Sequence, residues 1–217
     1  MDRIGRAKLF AALGDPVRLA IIEDLMVSDA APRDLSERHE LPSNLLAHHL
    51  SVLEDAALIA RSVSEGDRRR RYLTLRYDAL AGLNLQPAAP NGPVLFVCTR
   101  NSARSQLAAA IWNSLADSPA ASAGTEPATA IHPGTLSAAA RAGLDLSGAT
   151  TQHYDEVDVG STQIITVCDQ AHEHIERELG HWHWSTPDPV ARPTAKSFDS
   201  ALHRLKDRIV AITGVEQ

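Results

Sequence analysis

An α/β chain in two domains is predicted by three features of this sequence. From Val94 onward, short apolar runs alternate with helical stretches, the pattern of a parallel sheet with helices on both faces. Before Leu85 the order is different: stretches with apolar residues at helical intervals come first, then two short strand-like runs. Between them, Gln86-Pro87-Ala88-Ala89-Pro90-Asn91-Gly92-Pro93 has three prolines and no large apolar residue, the composition of an extended linker. The expected division is residues 1–85, a linker over 86–93, and residues 94–217.

Length and charge bound the possibilities. The chain has 217 residues, 44% of them hydrophobic, enough for two small cores. A net charge of -6 excludes a global pull toward nucleic acid or anionic membranes, so any such binding needs a local patch. Two cysteines in different segments make no disulfide framework, and no apolar run approaches the ~20 residues of a membrane span. The opening Met1-Asp2-Arg3-Ile4-Gly5-Arg6 leads into an amphipathic helix rather than a secretory signal. A cytoplasmic protein with no membrane partner is expected.

In the first segment, Leu9, Leu13, Leu19, Ile22 and Leu25 fall at helical intervals in two helices, with Gly14-Asp15-Pro16 as stop, cap and first-turn proline. A short third helix is expected near Pro32 to His39. A fourth opens at Leu41-Pro42-Ser43-Asn44; Leu46, Leu50 and Leu53 form its apolar stripe, and Ser43, Asn44, Ala47, His48 and Ser51 lie largely elsewhere. An apolar back with a small polar front suits the DNA major groove, which makes Ser43, Asn44, His48 and Ser51 candidate base-reading residues. Leu58 to Val63 and Arg68 to Leu75, separated by Ser64-Glu65-Gly66-Asp67, read as a two-stranded wing. If Arg68, Arg69, Arg70 and Arg71 lie on a strand, alternate side chains point to opposite faces, leaving about half for a phosphate backbone.

Leu9-Phe10-Ala11-Ala12-Leu13-Gly14-Asp15-Pro16-Val17-Arg18-Leu19 and His48-His49-Leu50-Ser51-Val52-Leu53-Glu54-Asp55-Ala56-Ala57-Leu58-Ile59 resemble the ArsR family of winged helix-turn-helix repressors. The resemblance implies double-stranded DNA as partner and a homodimer pairing through residues 2–13 and 78–84. The family's arsenic sensors use cysteines in this domain, and none occurs between Met1 and Pro93. As(III) prefers thiolate sulfur, so the usual sensing site is not expected.

The chemistry is expected in Val94-Leu95-Phe96-Val97-Cys98-Thr99-Arg100-Asn101-Ser102-Ala103-Arg104-Ser105, which reads strand, loop, helix. A loop at a helix N-terminus turns backbone N–H groups toward an anion, so Thr99, Arg100, Asn101, Ser102, Ala103 and Arg104 form a candidate oxyanion cradle. Arg104 adds a two-pronged donor, and the positive field favours Cys98 as the nucleophilic thiolate. Ser105 is placed to donate its hydroxyl to that sulfur. Further on, Asp188 precedes Pro189 in a loop beginning at Trp184; an acid leaning over such a site can protonate a leaving oxygen. Expected elements include strands over Val94–Val97 and Gln163–Val167, and helices over Arg104–Leu115, Thr135–Ala142, His172–Leu179 and Phe198–Ile212. The histidines His172, His174, His181 and His183 carry a His-x-His pattern common on exposed strands and helices. No cysteine or acid cluster completes a tetrahedral set around them, so no metal site is expected.

Val94 to Ser105, with Ser122-Ala123-Gly124-Thr125-Glu126-Pro127, His132-Pro133-Gly134, Gly143-Leu144-Asp145-Leu146-Ser147-Gly148 and Pro187-Asp188-Pro189, resembles the low-molecular-weight tyrosine phosphatase fold and, within it, the thioredoxin-coupled arsenate reductases. The resemblance runs from about Pro93 to the C-terminus. It implies a four-stranded parallel sheet, Cys98 as nucleophile, Asp188 as acid, and Cys168 as the second cysteine, which attacks the Cys-arsenic adduct and releases arsenite. The third cysteine of that type would fall near Ile175 and is missing. Two routes then remain. Either a thioredoxin-like protein (thioredoxin, mycoredoxin or similar) reduces a Cys98–Cys168 disulfide, or an external low-molecular-weight thiol attacks the adduct. No bound cofactor is implied, and Ala109 stands where some relatives carry a glutamate for potassium.

The leading expectation is an arsenate reductase fused to a DNA-binding regulator domain. A tyrosine phosphatase is the enzymatic alternative; Thr99 and Ser102 follow the reductase pattern, and Val190 replaces the aromatic residues that phosphatases place after Asp-Pro. The other alternative is a transcription regulator whose C-terminal fold senses an oxyanion or redox state.

Overall fold

The computed structural model describes residues 3–80, 89–157, 162–175 and 181–214. Its contacts divide the chain into two units, residues 1–64 with 68–87 and residues 65–67 with 88–217.

The first unit is a winged helix. Helices α1 (Arg3–Leu13), α2 (Pro16–Val27), α3 (Pro32–Arg38) and α4 (Ser43–Asp55) precede a hairpin of β1 (Ile59–Val63) and β2 (Arg71–Leu75), and α5 (Tyr77–Leu80) follows. Asp15 caps α2 by accepting the Arg18 N–H at 3.0 Å, and Pro16 takes the first turn, where no amide hydrogen is needed. Leu25, Leu35, Leu50, Leu53, Leu58 and Leu73 close the core. Of the residues expected at helical intervals, Leu9, Ile22, Leu25, Leu46, Leu50 and Leu53 are buried, and Leu13 and Leu19 are half-buried. Residues 81–84, in the expected pairing segment, and 86–88 of the expected linker lie outside the described residues.

The wing departs from expectation. The strand β2 begins at Arg71, paired with Val63, and the Ser64 N–H donates to the Arg70 carbonyl at 3.2 Å. Arg68, Arg69 and Arg70 therefore belong to the turn rather than a strand, and the alternation of faces does not apply to them. Arg71 donates to the carbonyls of Arg68 and Arg70 at 2.8 and 3.1 Å, so its guanidinium braces that turn.

The second unit is a four-stranded parallel sheet in the order β4-β3-β5-β6, from β3 (Val94–Cys98), β4 (Ala120–Gly124), β5 (Gln163–Thr166) and β6 (Trp182–His183). All five residues of β3 are buried, as a central parallel strand requires. Helices α6 (Arg104–Leu115), α7 (Pro133–Arg141), α8 (Asp169–His174) and α9 (Ala195–Thr213) pack around it. Phe198, Ala201, Leu202, Leu205, Ile209 and Ile212 give α9 its buried stripe, while Phe96 packs against Trp112 and Trp184 at centroid separations of 5.9 and 5.6 Å. The chain leaves β3 toward β4 on one side and returns through β5 on the other. That reversal opens a crevice at the carboxyl ends of β3 and β5, where ligands of such sheets bind. Cys98 ends β3 and Cys168 follows β5. Helix α8 starts at Asp169, ahead of the expected His172, and ends at His174; 176–179 of the expected helix lie outside the described residues. No helix among the described residues is long and apolar enough to cross a membrane.

Candidate functional site

The segment from Cys98 to Ser105 is wrapped by acceptors and donors that fix its peptides one by one. Thr125, Glu126 and Ala128 donate their N–H groups to the carbonyls of Cys98, Thr99 and Arg100 at 3.1, 2.8 and 2.9 Å. Gln106 Nε2 donates to the Asn101 carbonyl at 3.1 Å, and both the His132 N–H and the Thr135 hydroxyl donate to the Ser102 carbonyl, at 3.0 and 2.9 Å. Because the N–H and C=O of a trans peptide point in opposite directions, carbonyls held outward turn the amides of the loop inward. Asn101 makes the turn with φ 47°, a left-handed conformation that asparagine tolerates better than most residues. Helix α6 then starts at Arg104, and Ala103 before it offers no side-chain cap, so the first amides and the dipole of the helix face the same concavity. This is an anion nest.

Gly124 lies beside Cys98 in the sheet register, directly under the turn. A Cβ there would approach the Thr99 carbonyl oxygen to 2.7 Å and the Asn101 nitrogen to 3.0 Å, so only glycine lets the loop sit this low.

The side chains converge on the nest. Cys98 Sγ is 3.1 Å from Ser105 Oγ. Asn101 Nδ2 donates to Ser105 Oγ at 2.9 Å and to Ser122 Oγ at 3.0 Å, and its Oδ1 accepts the Gln152 N–H at 2.9 Å. Arg104, 5% exposed, donates from Nη1 to the Thr186 carbonyl at 2.9 Å and holds Nη2 3.5 Å from Asp188 Oδ1. Burial disfavours the Arg104 charge, but facing Cys168, Cys98 and Asp188 outweigh it and raise its pKa. Asp188 Oδ1 also accepts the Val190 N–H at 3.1 Å, which orients the carboxyl. Cys168 is buried at the far side of the crevice, its Sγ 3.4 Å from Thr99 Oγ1 and accepting the Ala171 N–H at 3.4 Å. Burial pushes its thiol pKa up, against the lowering pull of Arg104.

The structure thus brings Cys98, Thr99, Asn101, Ser102, Ala103, Arg104, Ser105, Cys168 and Asp188 together. Arg100 contributes backbone to the loop while its exposed side chain turns to Glu126 at 3.8 Å. Three residues of the site carry weight that the sequence reading did not assign. Thr186 supplies a carbonyl to Arg104, and Gly124 gives the loop its depth. His183, expected among exposed histidines, is instead 0% exposed and within 3.1 Å of Asp169. The flanking Trp182 and Trp184 were a hint of burial, without the alternation that would have marked His183 itself. Among the described residues no cluster of histidine, cysteine and carboxylate side chains is arranged to hold a metal ion.

In the first unit, Ser43, Asn44, His48 and Ser51 are exposed on α4, opposite Leu46, Leu50 and Leu53. Arg68, Arg69 and Arg71 are exposed at the wing and Arg70 is half-buried.

A family model for low molecular weight phosphotyrosine protein phosphatases matches residues 93–212. An arsenate reductase of Staphylococcus epidermidis is 28% identical over 122 residues, 54% of this chain and 88% of that protein. The crystal structure of an arsenate reductase from Archaeoglobus fulgidus is 26% identical, with a TM-score of 0.50 over 56% of this chain and 99% of that one. The N-terminal part is similar to an uncharacterized HTH-type transcriptional regulator, YceK of Bacillus subtilis, 35% identical over 75 residues, 34% of this chain and 72% of that protein.

Proposed function

The chain belongs to the low molecular weight phosphotyrosine protein phosphatase family, and from that premise we propose that its second unit is an arsenate reductase and its first a DNA-binding regulator domain of the ArsR type. The observation that carries the enzymatic reading is the second thiol. A phosphatase needs one cysteine in its loop, whereas here Cys168 stands across the crevice, 3.4 Å from the hydroxyl of the residue after Cys98. Similarity to arsenate reductases over most of their length supports the same reading.

In the first step, the Cys98 thiolate attacks arsenic while the loop amides and Arg104 hold the oxyanion, and Asp188 protonates the oxygen that leaves as water. In the second, the Cys168 thiolate attacks Cys98 Sγ; the S–As electron pair stays on arsenic, which leaves as arsenite, and the two sulfurs are left as a disulfide. A thioredoxin-like protein or similar dithiol then restores both thiols. The cytoplasm is where such reductants act.

The phosphatase reading keeps one observation of its own: the nest, Arg104 and Asp188 are complete without Cys168. Turnover of arsenate and hydrolysis of a phosphotyrosine analogue, measured side by side with a thiol reductant present, separate the two. Arsenite production supports the reductase, and robust ester hydrolysis without arsenite removes it. For the first unit, the support is the exposed polar front of α4 and the similarity to a helix-turn-helix regulator. Fluorescence anisotropy with candidate operator duplexes tests it, and no preference over random duplex removes the regulator role. Dimerisation through α1 and the segment following β2 is part of this proposal.

A further inference from the structure

One imidazole brackets the turn that carries Cys168. His183 Nδ1 lies 3.0 Å from the hydroxyl of Thr166, the last residue of β5, and His183 Nε2 lies 3.1 Å from Oδ1 of Asp169, the first residue of α8. Cys168 sits between those two anchors, and its own sulfur caps α8 by accepting the Ala171 N–H. The ring is fixed in plane as well: His172 stacks on it with centroids 4.1 Å apart and planes 10° from parallel, and His172 Nδ1 is 3.0 Å from His181 Nε2.

Burial makes this arrangement costly to keep. His183 is 0% and Asp169 2% exposed, and polar or ionic pairs at such depth are often matched or surpassed in stability by apolar residues of the same volume. What an apolar pair cannot do is hold two points of a turn by directional bonds. The same strand end also runs on to Thr186 and Asp188, which meet Arg104. The imidazole thus ties the turn that bears Cys168 to the segment that meets the oxyanion arginine. Asp169 keeps its carboxyl below the usual range: burial works to raise it, and the His183 hydrogen bond helps overcome that.

We propose that Asp169 and His183 are positioning residues that hold the Cys168 thiol in line for attack on Cys98. The proposal rests on the two-thiol reading above. Attack on a sulfur already bonded to arsenic requires the three atoms in line, and a misplacement of about 1 Å costs on the order of 100-fold in rate.

The test uses the full, reduced chain as parent, Cys168→Ser, Asp169→Asn, His183→Gln and His183→Leu. One readout is the rate of Cys98–Cys168 disulfide formation, located by peptide mass. It is driven either by arsenate or by diamide, which takes two electrons and two protons from the thiol pair and becomes the hydrazine. The other readout is the rate of Cys98 alkylation by iodoacetamide. Asp169→Asn and His183→Leu are expected to slow disulfide formation about 10- to 100-fold in the diamide arm while Cys98 alkylation stays within about twofold. His183→Gln, which keeps a donor where Nε2 stands, recovers part of the rate. Should His183→Leu fail to fold, Asp169→Asn against His183→Gln decides alone. Parent-like disulfide rates in the variants overturn the proposal, as does an equal loss in both readouts, which marks general damage. A parent that closes its disulfide with diamide but not with arsenate sinks the arsenate reading and leaves the positioning role to the diamide arm.

Discussion

The Sγ of Cys98 and the hydroxyl of Ser105 stand 3.1 Å apart, and the same hydroxyl oxygen accepts a hydrogen bond from Asn101 Nδ2 at 2.9 Å. With Asn101 donating to Ser105, the Ser105 hydrogen is left to point at the sulfur, where it can donate to the thiolate that attacks. A hydrogen bond to a charged group contributes about 1.5–3 kcal/mol. Ser105→Ala is therefore expected to slow alkylation of Cys98 at neutral pH by about tenfold or more. Rates equal to the parent's would mean the hydroxyl does not serve the thiolate.

Gly124→Ala places a methyl group 2.7 Å from the Thr99 carbonyl and forces the loop upward. Overpacking of this kind costs about 1–3 kcal/mol, and the displaced amides lose their aim at the anion. Urea unfolding should report the lower stability, and protection of Cys98 from alkylation by inorganic phosphate should weaken by about tenfold or more. Unchanged phosphate protection would show that the depth of the loop is not what makes the nest.

The burial of Cys168 sets a pH dependence for disulfide formation. Cys168 is buried, and its pKa is raised above the ordinary thiol value of 9.0, so at neutral pH it is almost wholly protonated in the fold. Only the thiolate attacks, so disulfide formation should accelerate by about tenfold per pH unit from pH 7 toward the alkaline range, without a plateau below 9.0. Stopped-flow measurement of disulfide closure between pH 6 and 9.5 checks this. A plateau near neutrality would mean that Cys168 is already a thiolate there.

In the first unit, the exposed front of α4 and the wing should act differently on DNA. Asn44→Ala and His48→Ala should remove about 1–3 kcal/mol of discrimination at particular base pairs. Arg68→Ala and Arg69→Ala should weaken binding to all duplexes alike and reduce the salt dependence by about one phosphate each. A uniform loss from Asn44→Ala would remove α4 as the reading element.

Much of this molecule was legible in the sequence because strong local signals coincided with tertiary roles. Val94 to Val97 is apolar at every position and became the central strand, and the small and polar run from Thr99 to Ser102 became the turn above it. The strand Ala120–Gly124 was not legible as a strand: alanine, serine and glycine have little preference for extended structure, and only pairing with Val94–Cys98 makes it one. The wing arginines misled because a run of like residues carries no phase, so where the turn ends and β2 begins was set by the Val63–Arg71 pairing. His183 misled for another reason. A histidine's burial depends on partners distant in sequence, here Thr166 and Asp169, which no local period reveals.

In the function proposed for this chain, the nest around Cys98 and the thiol of Cys168 together reduce arsenate. Its most direct test is a single-turnover count, with fully reduced protein mixed with stoichiometric arsenate and no other thiol, following free sulfhydryls and released arsenite in the parent and in Cys168→Ser. The parent should lose both thiols and release an equal amount of arsenite, while Cys168→Ser releases none. Both thiols surviving in the parent, with arsenite appearing only when a small external thiol is added, would contradict it and leave Cys98 to act alone.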